Sequence, residues 1–185
     1  DAAVVRPPPG LLAVHTVDGF RAFIDDPWML GQVAANHALN DVYAMGATPH
    51  HALALVTLPY ADNSRMQDDL VQLLRGALAV FDAADTALIG GHTGEGAELG
   101  IGFAINGYVA EHALVRKRGV ATGDALILTQ ALGTGVLFAA AMRGRARAQW
   151  IDAALAAMAT SKAAAAQCFV RHDVRAMTDV TGFGL

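Results

Sequence analysis

The stretch from Val14 to Gly46, VHTVDGFRAFIDDPWMLGQVAANHALNDVYAMG, constrains the fold more than any other part of the chain. It holds a short apolar strand ending at Asp18, a turn carrying Asp25-Asp26-Pro27, and a helix-like segment. In that segment Val33, Ala34, Ala38, Leu39, Val42, Tyr43 and Met45 recur at helical spacing, which suits a mostly buried element. Asp41 lies inside it, one turn after His37 and among alanines. An unpaired buried charge costs several kcal/mol, so Asp41 either faces water on a loosely amphipathic helix or meets a partner. Asp18 raises the same question at the end of its strand. Two acids beside apolar elements point to a cation, or to a metal–polyanion complex, lying between them.

The rest of the chain reads as a globular, mixed α+β arrangement. Its apolar fraction is 54% and its charged fraction 16% over 185 residues, enough for one core or for a domain and part of another. Net charge is −4, which gives no electrostatic footprint for nucleic acid. Apolar runs are too short for a membrane span and no signal peptide opens the chain, so a cytoplasmic protein is expected. Cys168 is alone, which excludes a disulfide framework; within an alanine-rich helix it reads as a small buried residue. Both ends look cut in mid-motif, and we expect this sequence to be a piece of a longer protein.

In order, Val4-Val5 and Leu11 to Val17 read as a hairpin joined by Pro7-Pro8-Pro9-Gly10. Asp25 or Asp26 caps a first helix with Pro27 at its first position, and Gly46 closes that helix near Ala44. His51 to Leu58 is a strand, Asn63 or Ser64 caps a core-facing helix through Phe81, and Thr86 to Gly91 and Ile101 to Val109 are strands. Residues 1–115 then form a first domain. Residues 116–185 form a linker and the first part of a second, with strands at Asp124–Thr129 and Val174–Met177. Between these lie a helix from Gly133-Thr134-Gly135 through Met142 and one long alanine-rich helix from Trp150 to Val170.

Three further features carry possible chemistry. Gly90-Gly91-His92-Thr93-Gly94-Glu95-Gly96 is either an ordinary glycine turn or a place where backbone N–H groups approach phosphates. It is neither a Walker A loop nor a dinucleotide fingerprint, because Leu99 breaks the glycine spacing. Asp179, in Thr-Asp-Val-Thr-Gly-Phe-Gly, is either a turn residue or a carboxylate presented to a ligand. With Asp1, Asp18 and Asp41 it makes four acids at element edges or in apolar runs. Hard oxygen ligands of this kind suit magnesium carrying substrate phosphates. The seven histidines show no recognisable ligand spacing.

Together, Asp1-Ala2-Ala3-Val4, Thr16-Val17-Asp18, Ile24-Asp25-Asp26-Pro27, Ala38-Leu39-Asn40-Asp41-Val42-Tyr43-Ala44-Met45-Gly46, Gly90-Gly91-His92-Thr93, Leu132-Gly133-Thr134-Gly135 and Thr178-Asp179-Val180-Thr181-Gly182-Phe183-Gly184-Leu185 resemble the selenophosphate synthetase (selenide, water dikinase) family. The resemblance implies an aminoimidazole-ribonucleotide-synthetase-like (PurM-like) fold. In it an N-terminal domain dimerises through its sheet beside an α+β C-terminal domain. It implies that ATP, selenide and water give selenophosphate, phosphate and AMP. It also implies magnesium on Asp1, Asp41 and Asp179, with Asp18 and Asp41 meeting the ATP–metal complex. Gly90, Gly91, His92 and Thr93 would contact nucleotide from the partner subunit. The family's catalytic Cys and Lys would lie upstream of Asp1, so these residues alone are expected to turn nothing over. His37 stands where many members carry Asn. Ala35-Asn36-His37-Ala38 and the Pro-rich segment resemble the subgroup fused to an upstream oxidoreductase-like domain. Thiamine-monophosphate kinase, aminoimidazole ribonucleotide synthetase and a non-catalytic dimerisation module are the alternatives.

Overall fold

Asp26 and Pro27 start the first helix as their chemistry requires. In the computed structural model, which describes residue 2 and residues 5–185, α1 runs Pro27–Ala44. Asp26 accepts the Met29 backbone N–H at 3.0 Å, and Pro27 fills the first turn, where a missing N–H costs nothing. The far end closes as a Schellman turn. Gly46 N–H reaches the Tyr43 carbonyl at 3.0 Å and Ala47 N–H the Val42 carbonyl at 3.1 Å, with Gly46 at a left-handed φ of 69°.

Before α1 comes β1 (Leu12–Arg21), and after it β2 (Thr48–Pro59), α2 (Asn63–Ala83), β3 (Ala87–Gly96) and β4 (Gly100–Val109). The strands form one four-stranded sheet in the order β1-β4-β2-β3. β4 is antiparallel to both neighbours, and β2 and β3 are parallel across the α2 crossover. Alternate residues of β2 (Ala52, Ala54, Val56, Leu58) and of β4 (Ile101, Phe103, Ile105, Val109) point into the core under α1 and α2. There the Phe81 and Phe103 rings meet edge to face at 4.9 Å. The other face of the sheet carries no helix. Val17, Leu53 and Leu55 are exposed on it, Leu55 at 60%.

The two helices over the sheet touch backbone to backbone. A Cβ on Gly31 would lie 2.0 Å from the Leu73 carbonyl oxygen, and one on Gly76 would lie 1.9 Å from that of Trp28. Glycine at both positions is therefore what lets α1 and α2 cross this closely and bury Leu30, Leu73 and Ala77 completely.

After a short 3-10 turn at Glu111–Ala113 come α3 (Thr134–Ala141), α4 (Ala148–Ala159) and α5 (Ala163–Arg171). The expected helix over Trp150–Val170 is thus two helices bent by 54°. The polar triplet Thr160-Ser161-Lys162 overrides the helix preference of alanine by capturing the last carbonyls of α4. Thr160 donates its hydroxyl to the Ala156 carbonyl at 2.7 Å, and the Lys162 ammonium donates to those of Ala157 and Thr160 at 3.0 and 2.9 Å.

Other expectations are also corrected. Val5 lies outside any strand, and Val4 falls outside the described residues, so β1 pairs with β4 rather than in an N-terminal hairpin. Asp62, not Asn63 or Ser64, occupies the cap position of α2. Asp124–Thr129 and Val174–Met177 carry no regular secondary structure and are not strands. A strand exists only through its ladder, and among the described residues all four ladder-forming segments lie within residues 12–109. Cys168 is exposed because it sits off the Ala166 face by which α5 packs. No single helix among the described residues is long and apolar enough to cross a membrane.

The crossing fixes the sign of one substitution. At an unconstrained helix position Gly→Ala stabilises by about 0.4–1 kcal/mol. Gly31→Ala should instead destabilise by roughly 1–3 kcal/mol, since the two backbones must part. Equilibrium denaturation showing a gain in stability would mean that the helices do not cross at these glycines.

Candidate functional site

His37, Asn40, Asp41 and Ala44 fall at i, i+3, i+4 and i+7, so they form one stripe of α1. On β1, Thr16, Asp18 and Phe20 alternate onto the face beneath that helix. The two rows meet. The Thr16 hydroxyl donates to Asp41 Oδ2 at 2.5 Å, and His37 Nε2 lies 2.6 Å from Asp18 Oδ2. The other oxygen of Asp18 accepts the Gly19 N–H at 2.8 Å, and Phe20 packs edge-on against the His37 ring at 5.6 Å. Both acids are half-buried and held by a named donor. Asp41 therefore does not simply face water.

Asp179 joins them from the extended segment after α5. Its carboxyl is pushed above the ordinary carboxylate range, first by burial and then by the Asp41 carboxylate beside it, while His37 pulls the other way. The Asp41 and Asp179 side chains are close enough for each other's charge to matter. Asp18, Asp41 and Asp179, distant in sequence, thus gather around His37.

Of this group His37 and Asp179 line a cavity of about 780 Å³, together with Asn40, Lys117, Lys162 and Arg175. The start of α3 at Gly133-Thr134-Gly135 lines it too, as do residues 178–182. Asn40 Oδ1 is shielded from solvent and has no partner. Two neighbouring acids beside an orphaned amide oxygen are a donor set short of positive charge, and hard cations take such oxygens. By donor type these oxygens suit a magnesium ion. Among the described residues, however, no group of three or more His, Cys, Asp or Glu side chains is placed to hold a metal ion. The expected ligand Asp1 lies outside the described residues.

The glycine segment is placed elsewhere. Gly90, Gly91, His92 and Thr93 are not a turn but the middle of β3, paired with Leu53, Ala54, Leu55 and Val56 of β2. Gly91 is needed for close strand approach, since a Cβ there would lie 2.2 Å from the Ala54 carbonyl oxygen. Asp18, Phe103, Ala54 and Gly91 share one row across the sheet. At 4.7–4.9 Å per strand, Asp18 and Gly91 are about 14 Å apart, on opposite edges. Within one chain the acids and the glycine segment do not meet. His92 is exposed, in register with Leu55 on the open face.

Thr16, His37 and Asn40 are site residues that the sequence did not assign. Their signals were the two-residue step from Thr16 to Asp18 and the helical stripe shared by His37, Asn40 and Asp41.

The family model described as "AIR synthase related protein, N-terminal domain" matches residues 1–109. The chain is similar to the selenide, water dikinase of Myxococcus xanthus (strain DK1622), at 41% identity over 187 residues covering 100% of this chain and 52% of that protein. It is similar to that of Pelobacter propionicus (strain DSM 2379 / NBRC 103807 / OttBd1), at 37% identity over 186 residues with the same coverage. It spans about half the length of these curated relatives. Its fold is that of the thiamine-monophosphate kinase structure from Stenotrophomonas maltophilia K279a. There the TM-score is 0.77 at 21% identity, over 91% of this chain and 56% of that one.

The acid pair sets a pH dependence. A carboxyl whose folded pKa is raised favours the protonated form on folding. The stability it contributes is present in acid and is lost as pH rises through the folded value. Without divalent cations, Asp179→Asn should remove that decline and leave the protein up to about 1 kcal/mol more stable near pH 7. Denaturation profiles against pH check this; an unchanged slope in the variant would break the pairing of Asp179 with Asp41.

Proposed function

Since the chain belongs to the AIR synthase related family through its first 109 residues, we propose that it is the nucleotide-binding part of a cytoplasmic selenide, water dikinase. The whole protein would convert ATP, selenide and water to selenophosphate, phosphate and AMP. One observation carries the reading: Asp18, Asp41 and Asp179, on three separate segments, gather around His37, and His37 and Asp179 line a cavity that also holds lysine and arginine. A triphosphate needs both signs of partner, cations against its oxygens and acids to hold the metal that accompanies it.

Magnesium, with Asp41 and Asp179 as ligands and Asn40 beside them, would neutralise phosphate charge as the phosphoryl groups depart. The chain's own side chains do the rest. Thr16 fixes one oxygen of Asp41, so the other is left for the ligand. His37 orients Asp18, and Gly19 N–H holds its second oxygen. Lys117, Lys162 and Arg175 supply positive charge along the cavity. Burial lowers the pKa of the Lys162 ammonium, so a phosphate anion beside it would favour its charged form.

The open sheet face supports a homodimer. Its exposed Val17, Leu53 and Leu55 form an apolar surface that a second copy would cover, sheet against sheet. His92 faces that same side, so each subunit's glycine strand would reach the nucleotide held by the acids of its partner.

Two tests bear on this. Magnesium-dependent binding of a non-hydrolysable ATP analogue, followed by calorimetry, should weaken in Asp41→Asn by more than the roughly 10–100-fold that loss of an outer partner costs. AMP release by the whole protein should require selenide; release driven by thiamine monophosphate instead would assign the kinase with the shared fold. For the dimer, Leu55→Asp should convert it to monomer in analytical ultracentrifugation, and an unaltered dimer would place the interface on another surface.

A further inference from the structure

One end of the open sheet face is not apolar. His15 of β1 and His51 of β2 both pair with Asn106 of β4, so the three share one row across the sheet. The β2–β4 register slips between Pro49 and His51, and the extra residue is His50. That bulge brings two rings together. His50 Nδ1 lies 3.1 Å from His51 Nδ1, and the His50 ring packs edge-on against Tyr108 at 5.3 Å. At the other end of the row, His15 Nδ1 is hydrogen-bonded to Asn106 Oδ1. Val17 and Leu53 are the next residues on the same side of the same two strands, so the imidazoles continue the apolar surface of Val17, Leu53 and Leu55.

These rings take protons and have little to balance them. Two imidazole nitrogens share a hydrogen bond only while one is unprotonated, so charging both His50 and His51 breaks their contact. His51 is 8% exposed. Its pKa is lowered, first by burial and then by the charges of His50 and His15. From β4 the cluster meets Tyr108 and Asn106, which are uncharged near neutral pH, and from β3 it meets Ala87. His92 of β3 lies opposite Leu55, about 13 Å further along β2. Among the described residues no carboxylate forms an ion pair with any of the three rings. The Arg21–Glu98 pair stands at the far end of β1, about 20 Å from His15. Nor is the cluster a metal site, since no group of three or more His, Cys, Asp or Glu among the described residues is placed to hold a metal ion.

We propose that the sheet-to-sheet dimer is released by acid, with His15, His50 and His51 as its proton sensor. This rests on the homodimer read from the same face. A two-fold interface uses the same patch on both subunits, so any charge the cluster gains is doubled there. A second copy also removes the water that would otherwise solvate that charge. The cluster therefore binds more protons when free than when covered. By linkage the dimer is tight above the free cluster's titration range and loosens as pH falls through it.

Sedimentation equilibrium of the whole protein at pH 8 and pH 5.5 reads the dimer dissociation constant, with circular dichroism to show that the fold is kept at both. With an ordinary imidazole value of about 6.5 and one proton taken up per subunit, the constant should rise about 100-fold. Replacing all three rings (His15→Gln, His50→Gln, His51→Gln) should keep the dimer at pH 8 and remove its pH response. His50→Arg puts a permanent charge on an exposed, bulged position, so it tests the idea even if the triple variant does not fold. It should weaken the dimer at least tenfold at pH 8. His172→Gln, on α5, should leave the pH response unchanged. A rise of less than tenfold in the wild type, a full response in the triple variant, or a His50→Arg dimer as tight as the wild type would each overturn the sensor and leave the dimer standing. A wild-type monomer at pH 8 would overturn the dimer itself, and the sensor with it.

Discussion

Everything in this molecule is hung on a helix that has almost no free side. α1 is pressed against the sheet below, α2 beside it and α4–α5 above, and eleven of its residues are buried. A helix enclosed in this way must be thin where its neighbours come closest. Gly31 permits backbone contact with α2, and the alanines at 34, 35 and 38 let the sheet and the later helices close in without voids. Its polar residues are consequently confined to two narrow stripes between neighbours. One is His37, Asn40 and Asp41; the other is Gln32 and Asn36. His37 and Asn40 line one cavity, and Gln32 and Asn36 line another.

The parts of this arrangement written locally were legible in the sequence. Asp26-Pro27 and Gly46 mark the ends of α1 by rules that act within one turn, and the alternation in β2 and β4 states which side is core. What misled was sequence whose structure depends on a partner. Gly90 to Gly96 has the composition of a loop, yet it is strand because β2 offers a ladder and glycine lets β3 lie close to Ala54. Asp124–Thr129 has the composition of a strand and no ladder to join. The alanine run to Val170 promised one helix, but three polar residues were enough to bend it, since alanine favours helix without fixing its length.

The site divides in the same way. The sequence left Asp41 either facing water or meeting a partner, and marked Asp18 and Asp179 at element edges without deciding between a turn role and a ligand role. Which donors would hold them was not written in any motif. Thr16 and His37 matter through the crossing angle of α1 over β1, a tertiary quantity, and their distances of 2.5 and 2.6 Å have no counterpart in spacing along the chain. The two sheet edges add a constraint of another kind. A single chain holds the acids and the glycine strand about 14 Å apart, so a ligand touching both must span the sheet or take the second group from another copy.

The acid pair lies where α1 meets a segment with little regular structure of its own. The Asp41 carboxylate disfavours charge on Asp179, and that repulsion acts between α1 and the segment that carries Asp179. A strong local fold there would have to absorb that repulsion whenever the site lacked a cation. An extended segment, tied back through the Met177 N–H to the Arg116 carbonyl at 3.1 Å, can yield instead. A bound cation would turn the same contact from repulsive to attractive, so ligand binding and the docking of this segment on α1 are one equilibrium seen from two sides. The chemistry that makes the site useful and the strain that makes it marginal come from the same two oxygens.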